Sequence, residues 1–158
     1  RQLPKSRNPH PMTARFHLQP LLDLANTRTD EAARKLGELV AAERDVEQKL
    51  KMLEDYRQEY NERFVQAARD GLSPDAWRNY SAFINKLDDA IGVQRKVVEQ
   101  SRAKTVEGQQ AWLAQRTKLQ AFDTLSQRHQ QVVNRQEARQ EQKQSDEHAA
   151  RRARGEDL

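Results

Sequence analysis

The sequence predicts an all-α protein, two long helices in an antiparallel coiled-coil hairpin with a polar helical extension at the C-terminal end, and three observations predict it. The first is composition: in 158 residues only 35% are hydrophobic while 33% are charged, with five glycines and five prolines. A thick core is out of reach for such a chain, and strands would need more β-branched and aromatic residues. The second is an apolar repeat that alternates three and four over most of the chain. The third is a compact stop-and-start signal, Asp70-Gly71-Leu72-Ser73-Pro74, near its middle.

Taken in order, residues 1–15 read as a disordered leader. The opening Arg1 to Pro11 is proline-rich without apolar period, and Met12 is the expected native start. Residues 16–70 read as the first helix. Its seam runs Leu22, Ala25, Thr29, Ala32, Leu36, Leu39, Glu43, Val46, Leu50, Leu53, Arg57, Tyr60, Phe64, Ala67, and only Thr29, Glu43 and Arg57 interrupt it. A sustained repeat of about 3.5 residues implies left-handed coiled-coil packing. Pro20 is tolerable in the first turn, where a missing amide proton costs little.

Residues 71–75 read as the turn. Gly71 suits a left-handed C-terminal cap, Ser73 an N-cap and Pro74 a first helical position. The second helix is expected over 76–126, with a seam of Tyr80, Ile84, Leu87, Ile91, Val98, Trp112, Leu119 and Phe122. Gln94, Ser101, Thr105, Gly108 and Gln115 break it. Folding about Leu72 pairs Phe64 with Tyr80, Tyr60 with Ile84, Leu36 with Gly108, Ala32 with Trp112, and Leu22 with Phe122. Large residues then meet small ones, as interlocking volumes require. Residues 127–158 form a polar, charged extension that cannot bury a core, and the second helix is expected to lose its partner beyond about Leu125.

Chemistry finds little to stand on. Without cysteine there are no disulfides, thiolate metal sites or cysteine nucleophiles. No segment approaches the roughly 20 apolar residues that cross a bilayer. His10, His17, His129 and His148 lack metal-ligand spacing, and no Gly-rich phosphate loop exists. Asp123, Ser126 and His129 have the residue types of a hydrolytic triad, but on one exposed helix they have neither an oxyanion hole nor protection from water. Arg151, Arg152 and Arg154 form a basic cluster in a chain of net charge +4, yet Glu147, Glu156 and Asp157 flank it and no aromatic platform accompanies it. The expectation is therefore a protein that is not an enzyme and needs no cofactor, metal or nucleic acid.

The informative excess lies near the turn. Leu53, Tyr56 and Tyr60 recur on one helix, and Phe83, Leu87, Ala90 and Gln94 mark a second stripe on the other. A two-helix seam needs only its a and d positions, so the extra apolar width is expected to be exposed and to bind a partner. The alternative is that these side chains wrap the seam edges or join two hairpins into a four-helix dimer.

Five stretches then become recognisable: LDLANTRTDEAARKLGEL (Leu22 to Leu39), LKMLEDYRQEY (Leu50 to Tyr60), WRNYSAFINKLDDAI (Trp77 to Ile91), KLQAFDTLSQR (Lys118 to Arg128) and SDEHAARR (Ser145 to Arg152). In order and spacing they resemble the FliJ family of bacterial flagellar export proteins. The resemblance implies a coiled-coil stalk of the flagellar type III export apparatus, and with it a place in flagellum biogenesis, motility and chemotaxis. Its implied partners are the hexameric export ATPase, the cytoplasmic domain of the export-gate membrane protein, export substrate chaperones and the ATPase regulator or stator protein. It also implies a cytoplasmic location, peripheral to the inner membrane at the flagellar base.

The family's gate-binding surface carries onto Leu53, Tyr56, Tyr60, Phe83, Leu87 and Ala90, and onto Lys49 and Gln94, where the family more often has Gln and His. For the ATPase ring, the joined helix ends offer Leu18, Leu21, Leu22, Leu119, Phe122, Leu125, Val132 and Val133. The rival readings are a basic coiled-coil nucleic-acid binder and a purely structural dimeric coiled coil.

Overall fold

The computed structural model describes residues 15–155, so the leader, the Met12 start and His10 lie outside the described residues. Two helices account for the architecture: α1 (Gln19–Asp70) and α2 (Pro74–Ala153). No strand occurs among the described residues, and the all-α expectation holds.

The connection between the helices follows from local chemistry. Gly71 adopts φ 97°, a conformation that costs a residue with a Cβ, and this ends α1. Ser73 then caps α2, its Oγ accepting a hydrogen bond from the Ala76 amide at 3.1 Å, while its carbonyl accepts from the Trp77 amide at 2.9 Å. Pro74 opens the helix at the position where its missing N–H is harmless. The turn is therefore 71–73, tighter than the 71–75 expected. At the other end of α1, residues 16–18 form a turn and not helix: the Gln19 amide donates to the Phe16 carbonyl at 3.0 Å, and α1 begins with Pro20 in its first turn.

The chain divides into two compact units. One is residues 30–114, the part of both helices nearer the turn; the other, among the described residues, is 15–29 together with 115–155. In the 30–114 unit α1 and α2 run antiparallel with a seam whose buried residues are Leu87, Ile91, Gln94, Val98 and Thr105. Two of the expected pairings are seen directly. The Phe64 and Tyr80 rings lie 5.5 Å apart, and a Cβ placed on Gly108 would come within 2.6 Å of Leu39 Cδ1 and 3.6 Å of Leu36 Cδ1. Gly108 thus lets the helices approach closely at leucines of α1.

Polar seam residues find backbone partners. Gln94 Nε2 donates to the Val46 carbonyl at 2.9 Å, and Thr105 Oγ1 lies 3.1 Å from the Ser101 carbonyl and 3.4 Å from the Leu39 carbonyl. A buried amide or hydroxyl left without a partner would cost about 1–3 kcal/mol, so these bonds are what permits polar residues in the seam.

In the other unit Leu22, Ala25, Thr29 and Val133 are buried. Thr29 satisfies its hydroxyl on its own helix, donating to the Ala25 carbonyl at 2.7 Å. Here the expectation that α2 loses its partner beyond Leu125 is corrected. The ring of Phe16 packs against His129 at 5.7 Å, and Val133 is 9% exposed. The missing piece was Phe16: the apolar period of α1 starts later, but the chain ahead of the helix still supplies a ring. Beyond Val133 α2 continues without interruption as an exposed polar helix to Ala153.

Candidate partner-binding surfaces

Near the turn, the 30–114 unit carries a continuous aromatic cluster. Tyr60 is its hub, with ring centroids 4.4 Å from Phe83, 5.3 Å from Tyr80 and 6.3 Å from Tyr56. Tyr56 meets Phe83 edge-on at 6.1 Å, and Phe64 joins Trp77 at 5.0 Å. Offset and edge-on rings at these separations gain about 0.5–1.5 kcal/mol per pair beyond area burial. Apolar rings that flank the seam on both helices explain the cluster, and among the described residues there is no third helix to cover it.

The sequence-predicted stripe is split by this geometry. Lys49, Tyr56 and Ala90 are exposed, and Leu53, Tyr60 and Phe83 are half-buried. Leu87, at 7% exposure, and Gln94, at 6%, are buried in the seam and cannot contribute an open face. The correction has a simple cause. Leu87 and Gln94 fall at seam positions, three and seven residues from Ile84 and Leu87 respectively, so their side chains point at α1. Sequence reasoning missed three exposed apolar residues beside the stripe: Met52, Val93 and Val97, at 63%, 65% and 36% exposure. The signal was available, since Val93 and Val97 follow Ala90 at three and seven residues.

Charged pairs run along one edge of the seam. Arg57 binds the Asp88 carboxylate through its guanidinium, and Arg95 and Arg102 reach Glu54 at 3.3 Å and Glu47 at 3.1 Å. The hydrogen bond from Arg57 holds Asp88 below its ordinary carboxylate range, against a smaller opposing effect of desolvation and with help from the charges of Arg57 and Arg95. The same hydrogen bond and charge raise the Arg57 guanidinium.

The second unit presents different material. Leu18, Leu119 and Phe122 are half-buried, and Leu22 and Val133 are buried. Leu21, Leu125 and Val132 remain exposed, joined by Leu24, which the sequence reading passed over. Beside them Arg15, Phe16, His17, Gln19, Pro20, Asp23, Ser126, His129 and Gln130 line an open groove of about 600 Å³. The triad residue types do not assemble there: Asp123 accepts from Gln127 at 3.2 Å, and His129 Nε2 is buried with no hydrogen-bond partner. Among the described residues no group of His, Cys, Asp or Glu is placed to hold a metal ion, and no helix is long and apolar enough to cross a membrane.

Known proteins resemble this chain along most of its length. A family model for the flagellar FliJ protein matches residues 14–157. The chain is 36% identical to the flagellar FliJ protein of Salmonella typhi over 136 residues, which covers 86% of this chain and 92% of that one. It is 35% identical, with the same coverage, to the flagellar FliJ protein of Escherichia coli strain K12. Among solved structures, a YscO homologue from Chlamydia trachomatis has the same fold, with a TM-score of 0.63 at 19% identity over 91% of this chain and 99% of that one.

Proposed function

This chain belongs to the FliJ family of flagellar export components, and from that premise we propose that it is a non-enzymatic coiled-coil stalk that binds the hexameric export ATPase. It promotes assembly and turnover of the ATPase ring, contacts the export-gate membrane protein and escorts export chaperones. It acts in the cytoplasm, at the face of the inner membrane beneath the flagellar base. The observation that carries the reading is a family match along almost the whole chain, residues 14–157.

The surfaces fit the division of labour. The gate contact falls to the exposed Tyr56 and Ala90 with the half-buried Leu53, Tyr60 and Phe83, where the exposed ring of Tyr56 provides the kind of anchor that dominates protein interfaces. Leu87 and Gln94 support that surface from beneath by holding α2 in register. The ATPase contact falls to Leu21, Leu24, Leu125 and Val132, and to the polar helix beyond them. A stalk with no catalytic group can still accelerate an ATPase: if it binds one ring conformation more tightly than the others, it shifts the population toward that state.

Steady-state ATP hydrolysis by the cognate export ATPase tests this. The intact chain is compared with one ending at Arg135, which keeps His129 and Val133 in place. Stimulation by the intact chain that is lost with the truncation is the expected outcome. Demonstrated binding with unchanged turnover sinks the activator role.

A further inference from the structure

Pro20 uncouples the start of α1 from the chain ahead of it. A proline in the first turn has no N–H to give to the carbonyl four residues earlier, and its ring crowds that carbonyl, so Phe16 cannot join the helix in regular α geometry. The Phe16 carbonyl accepts instead from the Gln19 amide at 3.0 Å, and residues 16–18 form a turn.

From that turn Phe16 reaches α2, where its ring lies 5.7 Å from the imidazole of His129. The contact is a weak one to hold closed. The ring is only half-buried, so it gains part of what full burial gives, while His129 Nε2 is buried and has no hydrogen-bond partner among the described residues. An orphaned buried nitrogen offsets much of the gain from the ring. Beside the contact runs the open groove lined by Phe16, His17, His129 and Gln130.

The contact also sits in the middle of a surface. Leu125, His129 and Val132 stand four and three residues apart, on one face of α2. Leu125 and Val132 are exposed, and the ring of Phe16 lies against the residue between them. A partner lying along this face meets Phe16 at its centre.

We propose that residues 16–18 are a displaceable strap. With Phe16 on His129 the Leu125–Val132 face is divided; a partner that binds the whole face lifts the ring away and covers His129 with its own side chain. For the identity of that partner the strap rests on the ATPase-contact reading given above, and it goes beyond that reading by making the contact self-blocked. A binding-competent form that is only fractionally populated weakens apparent affinity by that fraction, so the strap sets how readily the stalk engages. A fixed pin would act in the opposite sense, because loss of its ring would loosen the fold and lower affinity.

Opening is measured first, on the full-length chain without a partner. The chain has no cysteine, so a single Val133→Cys or Val98→Cys reports thiol labelling at one buried place. Position 133, one turn beyond His129, is expected to label at least about tenfold faster than position 98, which opens only with the coiled coil. Phe16→Ala should speed labelling at 133 by about tenfold and leave 98 unchanged, and His129→Leu, which removes the orphaned nitrogen, should slow it about threefold. Equal labelling at both places, or a rate at 133 that Phe16→Ala does not move, overturns the strap.

Competition is measured second, as affinity for the cognate export ATPase. Phe16→Ala is expected to bind at least about threefold more tightly than the wild-type chain. His17→Cys with Gln130→Cys, on opposite sides of the contact and joined by a short bifunctional thiol reagent, holds the strap down. It should bind at least about tenfold more weakly than the same variant with its two thiols capped separately. Weaker binding by Phe16→Ala, or equal affinity of the linked and capped chains, makes Phe16 a fixed part of the fold and overturns the proposal. An ATPase that binds none of these chains, Phe16→Ala included, sinks the ATPase reading instead, and the labelling rates then decide whether the strap opens.

Discussion

Near the turn, the helices of the 30–114 unit pack through rings. Toward Gly108 the same two helices close on each other because a side chain is missing. At the first place Tyr60 fills the space together with Tyr56, Tyr80 and Phe83. At the second Leu39 lies where a Cβ of Gly108 would stand. A single coiled coil is therefore sensitive to opposite errors along its length, to removal of volume at one place and to its addition at the other. Neither place is deeply enclosed, since no described side chain falls below 2% exposure. Two helices always leave one side of each seam residue near water.

The largest effect should come from Tyr60. Tyr60→Ala removes the ring that touches three others, and at half-burial it should cost about 2–3 kcal/mol, toward the low end of aromatic truncations. Thermal unfolding followed by far-ultraviolet circular dichroism measures this, with Tyr60→Phe as the partner variant. If the ring is what matters, Tyr60→Phe stays close to wild type. A loss equal to that of Tyr60→Ala would mean that the hydroxyl, and not ring packing, holds this region.

At Gly108 the comparison sharpens with two substitutions. Gly108→Leu overfills the close approach and should destabilise by about 1–3 kcal/mol. Gly108→Ala sets a clash with the flexible end of Leu39 against the roughly 1 kcal/mol that alanine gains over glycine in a helix. The two should nearly cancel, giving a change within about 1 kcal/mol. A Gly108→Leu variant as stable as wild type would show that the helices separate there without cost.

The contrast also explains what could be read from the sequence. The turn was legible because its signals are local: Gly71, Ser73 and Pro74 each act on their own backbone. Once the turn was fixed, the register followed, and Phe64 meets Tyr80 and Gly108 meets Leu36 as expected. The partner surfaces were less legible, because a residue type does not reveal which side of a seam it occupies. Leu87 and Gln94 were assigned both to the seam and to an open stripe, and burial decided for the seam. Phe16 with His129 escaped notice for another reason: the ring precedes α1, outside the period that marked the helix. The exposed Val93 and Val97 were hidden by their small size, although their spacing from Ala90 was in view.

The smallest effect belongs to the charged edge, and its signature is pH dependence. Asp88 is held below its ordinary range by the hydrogen bond from Arg57, so the folded state binds a proton there less readily than the unfolded chain. A depressed carboxylate contributes stability that is fully present above its unfolded value of about 3.9 and is lost as pH falls through its lower folded value. Both partners are well exposed, which keeps the contribution small. Asp88→Asn should therefore lower the melting temperature slightly at neutral pH and flatten its decline in acid, so that the wild-type and variant curves converge below the carboxylate range. Added salt should reduce the neutral-pH difference by screening the charge component of the pair. Parallel curves across the acid range would show that Arg57 makes no distinction between the charged and neutral side chain, and that the ring cluster and seam alone set the stability of this unit.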